Sequence, residues 1–336
     1  MTATTTLPNR PVWDEGPTLD LPTLQGPVDA DVCVVGLGGS GLAAVHELLA
    51  LGRSVVGVDA GIVGGAAAGR NGGFLLAGPA DFHHDAVAKH GRDRAVRMYH
   101  LTLEQIARME RETPEAVRRV GSIRLAASPE ELEDCRVQLD AMRADGLPAE
   151  WYEGPLGTGL RIATDAAFQP MARARALART ALAQGARLFE ASPAVEVEGH
   201  AVRTPDGVVR CRAVVVAVDG ALDLLLPELA PRIRSTRLQM LATAPTAEVH
   251  VPCPVYARWG YDYWQQLPDG RVTLGGVAAE LLDREVAAEL GGAKCLHAVQ
   301  PIEVRIAACC GLRIQRRSVP RGRRPAVHSP RLSLNR

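Results

Sequence analysis

Apolar positions near the start of the chain fall into short runs of two kinds. Asp31-Val-Cys-Val-Val35 is rich in β-branched residues and lies between acids and glycines, the pattern of a strand buried on both faces. Leu42, Val45, Leu48 and Leu49 then recur at helical spacing, and Gly52 stands where a C′ glycine would end the helix. Ser54-Val-Val-Gly-Val58 reads as a second buried strand, so residues 31–59 predict a βαβ unit with a right-handed crossover.

Further along, the period lengthens. Val87, Val96, Tyr99, Leu103, Ile106 and Met109 form an apolar stripe between Asp81 and Glu112, the first excursion into a second lobe. An alanine-rich helix is expected from Met171 to Gln184, closed by Gly185, with Arg173, Arg175 and Arg179 on a solvated face. Three strand-like runs follow at 187–190, 194–197 and 210–218, broken by the turn Thr204-Pro-Asp-Gly207. Buried strands thus return, and the first lobe is expected to be discontinuous in sequence. Residues 251–277 read as antiparallel sheet turning at Pro268-Asp-Gly270, and five of the nine Tyr and Trp residues fall there: Tyr256, Trp259, Tyr261, Tyr263 and Trp264. Cross-strand packing accounts for such a cluster, and so does a substrate wall.

Composition narrows the function classes. Lys plus Arg and Asp plus Glu both total 38, so no global field draws nucleic acid or an anionic membrane. A small molecule is the expected partner. The seven cysteines show neither CxxC nor zinc-finger spacing, which fits reduced thiols and no metal. Residues 1–26 lack the pattern of a secretory signal, and apolar runs such as Ala213 to Val218 are too short for a membrane span. A cytoplasmic location is expected. Cys33 should behave as a small apolar residue, His46 as packed or exposed, and His83 and His84 as part of a solvated turn opening the next helix.

Gly36-Leu-Gly-Gly-Ser-Gly41 fits GxGxxG directly after the first strand. The glycines serve a tight turn, a close approach of pyrophosphate and close helix packing, while the helix N-terminus faces the phosphates. Asp59 ends the second strand, where a carboxylate accepts bonds from ribose hydroxyls. The fingerprint by itself leaves FAD and NAD open. The loop Gly64-Gly-Ala-Ala-Ala-Gly-Arg-Asn-Gly-Gly73 favours FAD, because it stands where a nicotinamide dehydrogenase would enter another helix.

From Ala30 to Gly73, ending in Arg70-Asn-Gly-Gly73, the chain resembles the FAD-dependent D-amino acid oxidase and glycine oxidase superfamily, and within it the gamma-glutamylputrescine oxidase-like branch. Phe168-Gln-Pro170, Gly185-Ala-Arg-Leu-Phe189, Ala213-Val-Val-Val-Ala-Val-Asp-Gly220 and Tyr261-Asp-Tyr-Trp-Gln-Gln-Leu-Pro-Asp-Gly-Arg271 extend the likeness over residues 25–277. The resemblance implies an α/β fold, with a Rossmann-like FAD lobe and a second lobe of mixed antiparallel sheet. The FAD domain is expected over 27–80 plus 160–225 and the substrate domain over 81–159 plus 226–292, flanked by an extension, 1–26, and a basic tail, 293–336.

FAD is then expected on Gly36, Gly38, Gly39, Ser40, Gly41, Asp59, Ala60, Gly69, Arg70, Asn71, Gly72, Gly73, Val195 and Gly220. The implied substrate is an amine or amino acid, oxidised by hydride transfer to flavin and hydrolysis of the imine, with oxygen or another acceptor taking the electrons. Arg258, Tyr261 and Tyr263 are the substrate-side candidates, the arginine because its fork matches a carboxylate. No side-chain acid or base is demanded, and none is assigned.

Two departures stand against the likeness. Ala68 replaces a hydroxyl residue before Gly-Arg-Asn, which removes one cofactor hydrogen bond worth about 1 kcal/mol. Residues 304–336 hold nine arginines and no Asp or Glu where the superfamily has a flavin-covering glycine turn. An altered reading frame, a solvated tail and a nucleic-acid element are all compatible with that composition, although the stretch has no aromatic residue to stack on bases. A flavin-binding remnant without turnover and an NAD-dependent dehydrogenase are the alternative functions.

Overall fold

The computed structural model describes residues 10–232 and 238–276. The tail 293–336, residues 277–292 of the expected substrate domain and the first nine residues lie outside the described residues. Four parallel strands form the first sheet in the order Arg187–Phe189, Val55–Val58, Val32–Val35, Ala213–Val216. Segments far apart in sequence therefore share one sheet, as the return of buried strands predicted.

Both faces of this sheet are covered, which is why its strands read as unbroken apolar runs. Val34 and Val55 pack with Leu42 and Val45 of helix Gly39–Ala50 and with Ala178 and Ala181 of helix Pro170–Ala183. Cys33, Val35, Val56 and Val58 point the other way, onto Val202 and Val209. Burial pushes the Cys33 thiol up to about 12, so it is an inert apolar side chain. Leu42 and Val45 are fully buried, and each contributes about 1.5–3 kcal/mol.

Residues 210–218 do not make one strand. Gly207–Arg210 belongs to an outlying sheet with Gly26–Asp29, Ala201–Arg203 and Glu196–Glu198, whereas Ala213–Val216 joins the parallel sheet. Between them, Cys211 N–H donates to the His200 carbonyl at 2.8 Å and Arg212 N–H to the Asp31 carbonyl at 2.9 Å. The chain thus changes partners in mid-run, and a continuous apolar pattern hides the change.

The second lobe is a seven-stranded sheet, ordered Met240–Ala242, Val272–Gly276, Asp262–Gln266, Val255–Ala257, Ser122–Leu125, Gly157–Ile162, Glu150–Gly154. It is antiparallel except where Val255–Ala257 runs parallel to Ser122–Leu125. Helix Pro129–Ala144 lies against it, with Cys135 and Leu139 packed on Leu160. The charged stripe at 81–112 forms two helices, His83–His90 and Arg92–Glu112, separated by Gly91 at φ +82°. A small sheet of Phe74–Leu75, Ala166–Phe168 and Val117–Arg118 joins the lobes.

Candidate active site: a glycine cradle beside an aromatic cavity

The four glycines of Gly36–Gly41 divide into two pairs by what surrounds them. Gly36 has φ +95°, and a Cβ there would collide with the Ala217 carbonyl; a Cβ on Gly41 would collide with the Gly36 carbonyl. These two serve the turn and the close helix. By contrast, a Cβ on Gly38 would meet nothing nearer than Ala68 Cβ at 3.4 Å, and one on Gly39 nothing within 4 Å. Gly38 is also extended, at φ −82° and ψ −166°, a conformation open to any residue. The chain itself has no need of glycine at these two positions. A bare backbone facing open space fits the approach of a pyrophosphate. Helix geometry leaves the N–H groups of Gly39, Ser40 and Gly41 without an acceptor inside the helix, and the dipole's positive end lies there.

Asp59 stands across from this turn, accepting from Leu37 N–H at 2.7 Å and Gly61 N–H at 2.8 Å. Each carboxylate oxygen has a second lone pair to offer a ribose hydroxyl. Ala60 follows it on the exposed side, and Ser192 N–H donates to the Asp59 carbonyl at 2.7 Å. The second glycine loop closes over the first, since Gly64 N–H donates to the Leu37 carbonyl at 3.0 Å. Gly69 is buried under Met171, and Arg70 Nε donates to the Gly65 carbonyl at 2.8 Å. Asn71 acts as a brace: its Nδ2 donates to the Ala68 carbonyl at 2.8 Å and its Oδ1 accepts from Gly73 N–H at 2.9 Å.

Three loop supports escaped the sequence reading. Trp13 is buried and donates its Nε1–H to the Asn71 carbonyl at 2.7 Å. Glu190 accepts from Val63 N–H at 2.7 Å. Gln265, from the second lobe, donates to the Gly72 carbonyl at 2.5 Å. All three act across long sequence separations, so no local pattern marks them. Of the remaining cofactor candidates, Gly220 lies in the turn Asp219–Ala221, just after the Ala217 carbonyl that limits Gly36. Val195 has an exposed side chain, and its N–H donates to the Arg203 carbonyl at 2.9 Å.

A cavity of about 540 Å³ begins where the second loop ends. Asn71 and Gly72 form one side, residues 76–83 another, and the large sheet a third. Its rings are Phe74, Phe82, Tyr99, Phe168, Tyr256, Trp259 and Tyr263. Tyr263 meets Phe74 edge to face, with ring centroids 5.8 Å apart, and lies across Gly275, where any Cβ would displace the phenol. Burial pushes the phenols of Tyr99, Tyr256 and Tyr263 up, and the Asp165 carboxylate adds to the rise at the first two. All three are neutral hydroxyls at working pH.

The turn that carries Trp259 is held from beneath. Arg258, Trp259 and Gly260 have φ of +51°, +53° and +86°, a left-handed run that costs energy at the two non-glycine residues. Fully buried Glu131 offsets this, accepting from Arg258 N–H at 3.1 Å, Trp259 N–H at 2.8 Å and Ala127 N–H at 2.9 Å. Of the substrate candidates, Tyr263 lines the cavity, whereas Tyr261 and Arg258 do not. Tyr261 is exposed, and the Arg258 fork holds Asp262 in two bonds of 2.6 and 2.9 Å.

His83 opens its helix as expected, but it is not solvated. It lines the cavity at 3% exposure, and its Nε2 lies 2.6 Å from Asp145 Oδ2. Burial raises the Asp145 carboxyl, but His83 and Arg92 outweigh this and hold it below the usual carboxylate range. His84 lies 3.0 Å from Asp134, and His46 Nε2 is 3.0 Å from the Leu177 carbonyl. Among the described residues no cluster could hold a metal, and no helix is long and apolar enough to cross a membrane.

A parallel sheet with a glycine cradle, joined to a mixed sheet over a cavity, defines a two-lobed dinucleotide-binding fold. The chain belongs to the DAO family of FAD dependent oxidoreductases, which matches residues 31–335. FAD is accordingly its cofactor, the nicotinamide alternative is set aside, and the family match continues through the basic tail that the sequence reading had set apart.

Curated relatives include the probable oxidoreductase OrdL of Haemophilus influenzae, 26% identical over 58% of this chain and 50% of its own length. OrdL of Rhizobium meliloti is 27% identical over 85% of this chain and 71% of its own length. The gamma-glutamylputrescine oxidoreductase of Escherichia coli is 27% identical over 76% and 66%. The chain thus spans half of the first of these relatives and about two thirds of the other two. The expected assignment to the gamma-glutamylputrescine branch is corrected here: the superfamily is borne out, but OrdL proteins are the better match, the Rhizobium meliloti one covering 85% of this chain against 76% for the gamma-glutamylputrescine oxidoreductase.

Among solved structures, an L-amino acid deaminase from Proteus vulgaris with a deleted insertion aligns at TM-score 0.64 and 17% identity, covering 91% of this chain and 80% of its own. Glycine oxidase from Geobacillus kaustophilus aligns at 0.60 and 21%, covering 74% and 71%. These likenesses show the fold.

Proposed function

We propose that the chain oxidises the carbon–nitrogen bond of a small amine or amino acid, using FAD held on the Gly36–Gly41 and Gly64–Gly73 loops. The observation that carries this reading is the position of the cavity, which begins at Asn71 and Gly72 of the cofactor loop and is walled by Tyr256 and Tyr263 of the large sheet. Its volume of about 540 Å³ suits a small ligand. FAD held there would supply a two-electron acceptor for the hydride lost from the carbon bearing nitrogen as a proton leaves the nitrogen, with hydrolysis of the imine to a carbonyl compound and oxygen or another acceptor as the final sink for the electrons.

The protein's own residues orient and shelter the substrate. The aromatic walls exclude water, and the Asn71 brace and Gln265 keep the loop in register with the sheet. Gly38, Gly39, Ser40 and Asp59 are the proposed pyrophosphate and ribose contacts, with Ala60, Gly69, Arg70, Gly72, Gly73, Val195 and Gly220 around them; Tyr263 is the proposed substrate contact. The test is a visible spectrum of the purified chain, followed by anaerobic addition of amines and amino acids. Bleaching of a bound flavin is the expected result. A flavin that no member of a broad panel reduces would overturn the oxidase reading, and a folded chain that takes up no FAD would overturn the cofactor site.

A further inference from the structure

We infer that the substrate is an amine recognised as a cation by aromatic faces, rather than an α-amino acid recognised by its carboxylate; this rests on the proposed oxidase function and narrows its substrate class. The chain has only 13 aromatic residues of the Phe, Tyr and Trp types, 4, 5 and 4 of each, yet seven of them line the cavity beside the cofactor loop. The larger apolar cores are built mainly from Val, Leu and Ala. Ring faces attract a cation within about 6 Å, more strongly as water is removed.

The second observation concerns where the nearby guanidinium groups go. No Arg or Lys is among the described residues that line the cavity. Arg258, next to Trp259, turns its fork to Asp262. Fully buried Arg124 bonds Asp134 and Gln138 beneath Phe82, with its guanidinium carbon 3.5 Å from that ring centroid. Arg258 is thus held by Asp262 and the two terminal nitrogens of Arg124 by Gln138 and Asp134, while Arg124 Nε has no partner among the described residues, and neither guanidinium lines the cavity. A substrate carboxylate entering between these aromatic faces would lose its water without meeting a guanidinium or ammonium among the described lining residues. An ammonium or protonated amine gains from the same faces. Asp81, which pairs with Lys89 at 2.9 Å, is the carboxylate that borders the cavity among the described residues.

Trp259 is the ring to test, because it is 47% exposed at the cavity edge and its loss leaves the core intact. Matched ligands isolate the carboxylate: phenethylamine against both enantiomers of phenylalanine, and butylamine against both enantiomers of norvaline. Binding to the FAD-loaded full chain is read from flavin absorbance perturbation and intrinsic tryptophan fluorescence. Each amine should bind about tenfold or more tightly than its carboxylated partner. Trp259→Leu should weaken amine binding about three- to thirtyfold at an unchanged melting temperature, and Trp259→Phe should recover part of it.

Equal or tighter binding of the amino acids, unchanged amine binding in Trp259→Leu, or no binding of either class would overturn the inference. The two readings fail separately. Amines that bind but never reduce the flavin remove the oxidase function alone, whereas amino acids that bind more tightly and reduce it remove only the amine preference.

Discussion

Replacing Gly38 by alanine should separate folding from cofactor binding. The added methyl would sit 3.4 Å from Ala68 Cβ, ordinary van der Waals contact, in a backbone conformation alanine shares. Two small effects on stability oppose each other. Alanine lowers the entropy of the unfolded chain by about 0.4–1 kcal/mol, and it is a poorer N-cap than glycine by a similar amount. The apo protein should therefore melt within about 1 kcal/mol of the parent.

The cofactor meets a different situation, because that methyl occupies the space left for pyrophosphate. Overpacking of this kind costs about 1–3 kcal/mol, which weakens FAD about five- to 150-fold. Gly41→Ala should behave in the opposite way, since its Cβ would overlap the Gly36 carbonyl and the helix must shift before any ligand arrives. The assay pairs apo-protein thermal melts with FAD titration followed by flavin fluorescence. Full FAD affinity in Gly38→Ala would refute the assignment of the pyrophosphate to this turn. A large loss of apo stability in the same variant would refute the claim that the chain itself does not need this glycine.

Asp59→Ala removes an acceptor for ribose and for two backbone N–H groups, so FAD should bind about ten- to a hundredfold more weakly by titration; an unchanged dissociation constant places the ribose elsewhere. Asp165 is almost fully buried, and burial pushes its carboxyl up to about 6 despite bonds from Ser122 and Ala77 N–H. With the folded value raised, its contribution is fully present below the unfolded value of 3.8 and is lost as pH rises toward 6, a change of about 3 kcal/mol. Asp165→Asn should therefore be stabilised relative to the parent progressively from pH 4 to pH 7 in paired melts, and a pH-independent difference would contradict this. Glu131→Gln leaves one acceptor oxygen for three backbone donors and should cost about 2–4 kcal/mol. A melt that matches the parent would show that the Arg258–Gly260 turn holds itself.

The nucleotide-binding half was legible because each of its signals is local. A buried strand, a glycine turn, a helix face and a terminal acid all fall within residues 31–59, and backbone geometry sets their periods without help from the rest of the chain. The helix ending before Gly185 and the hairpin at Gly270 were legible for the same reason.

Tertiary structure decided what local periods cannot encode. Residues 210–218 carry one apolar pattern but pair with two sheets, because Cys211 and Arg212 bond to His200 and Asp31. His83 has the sequence signature of an exposed helix start, yet Asp145, 62 positions away, holds it by a buried hydrogen bond beside the cavity. Arg258 reads as a carboxylate clamp until its fork is seen on Asp262. The aromatic cavity draws its rings from residues 74 to 263, so its existence depends on how two lobes meet and has no footprint in any window of sequence.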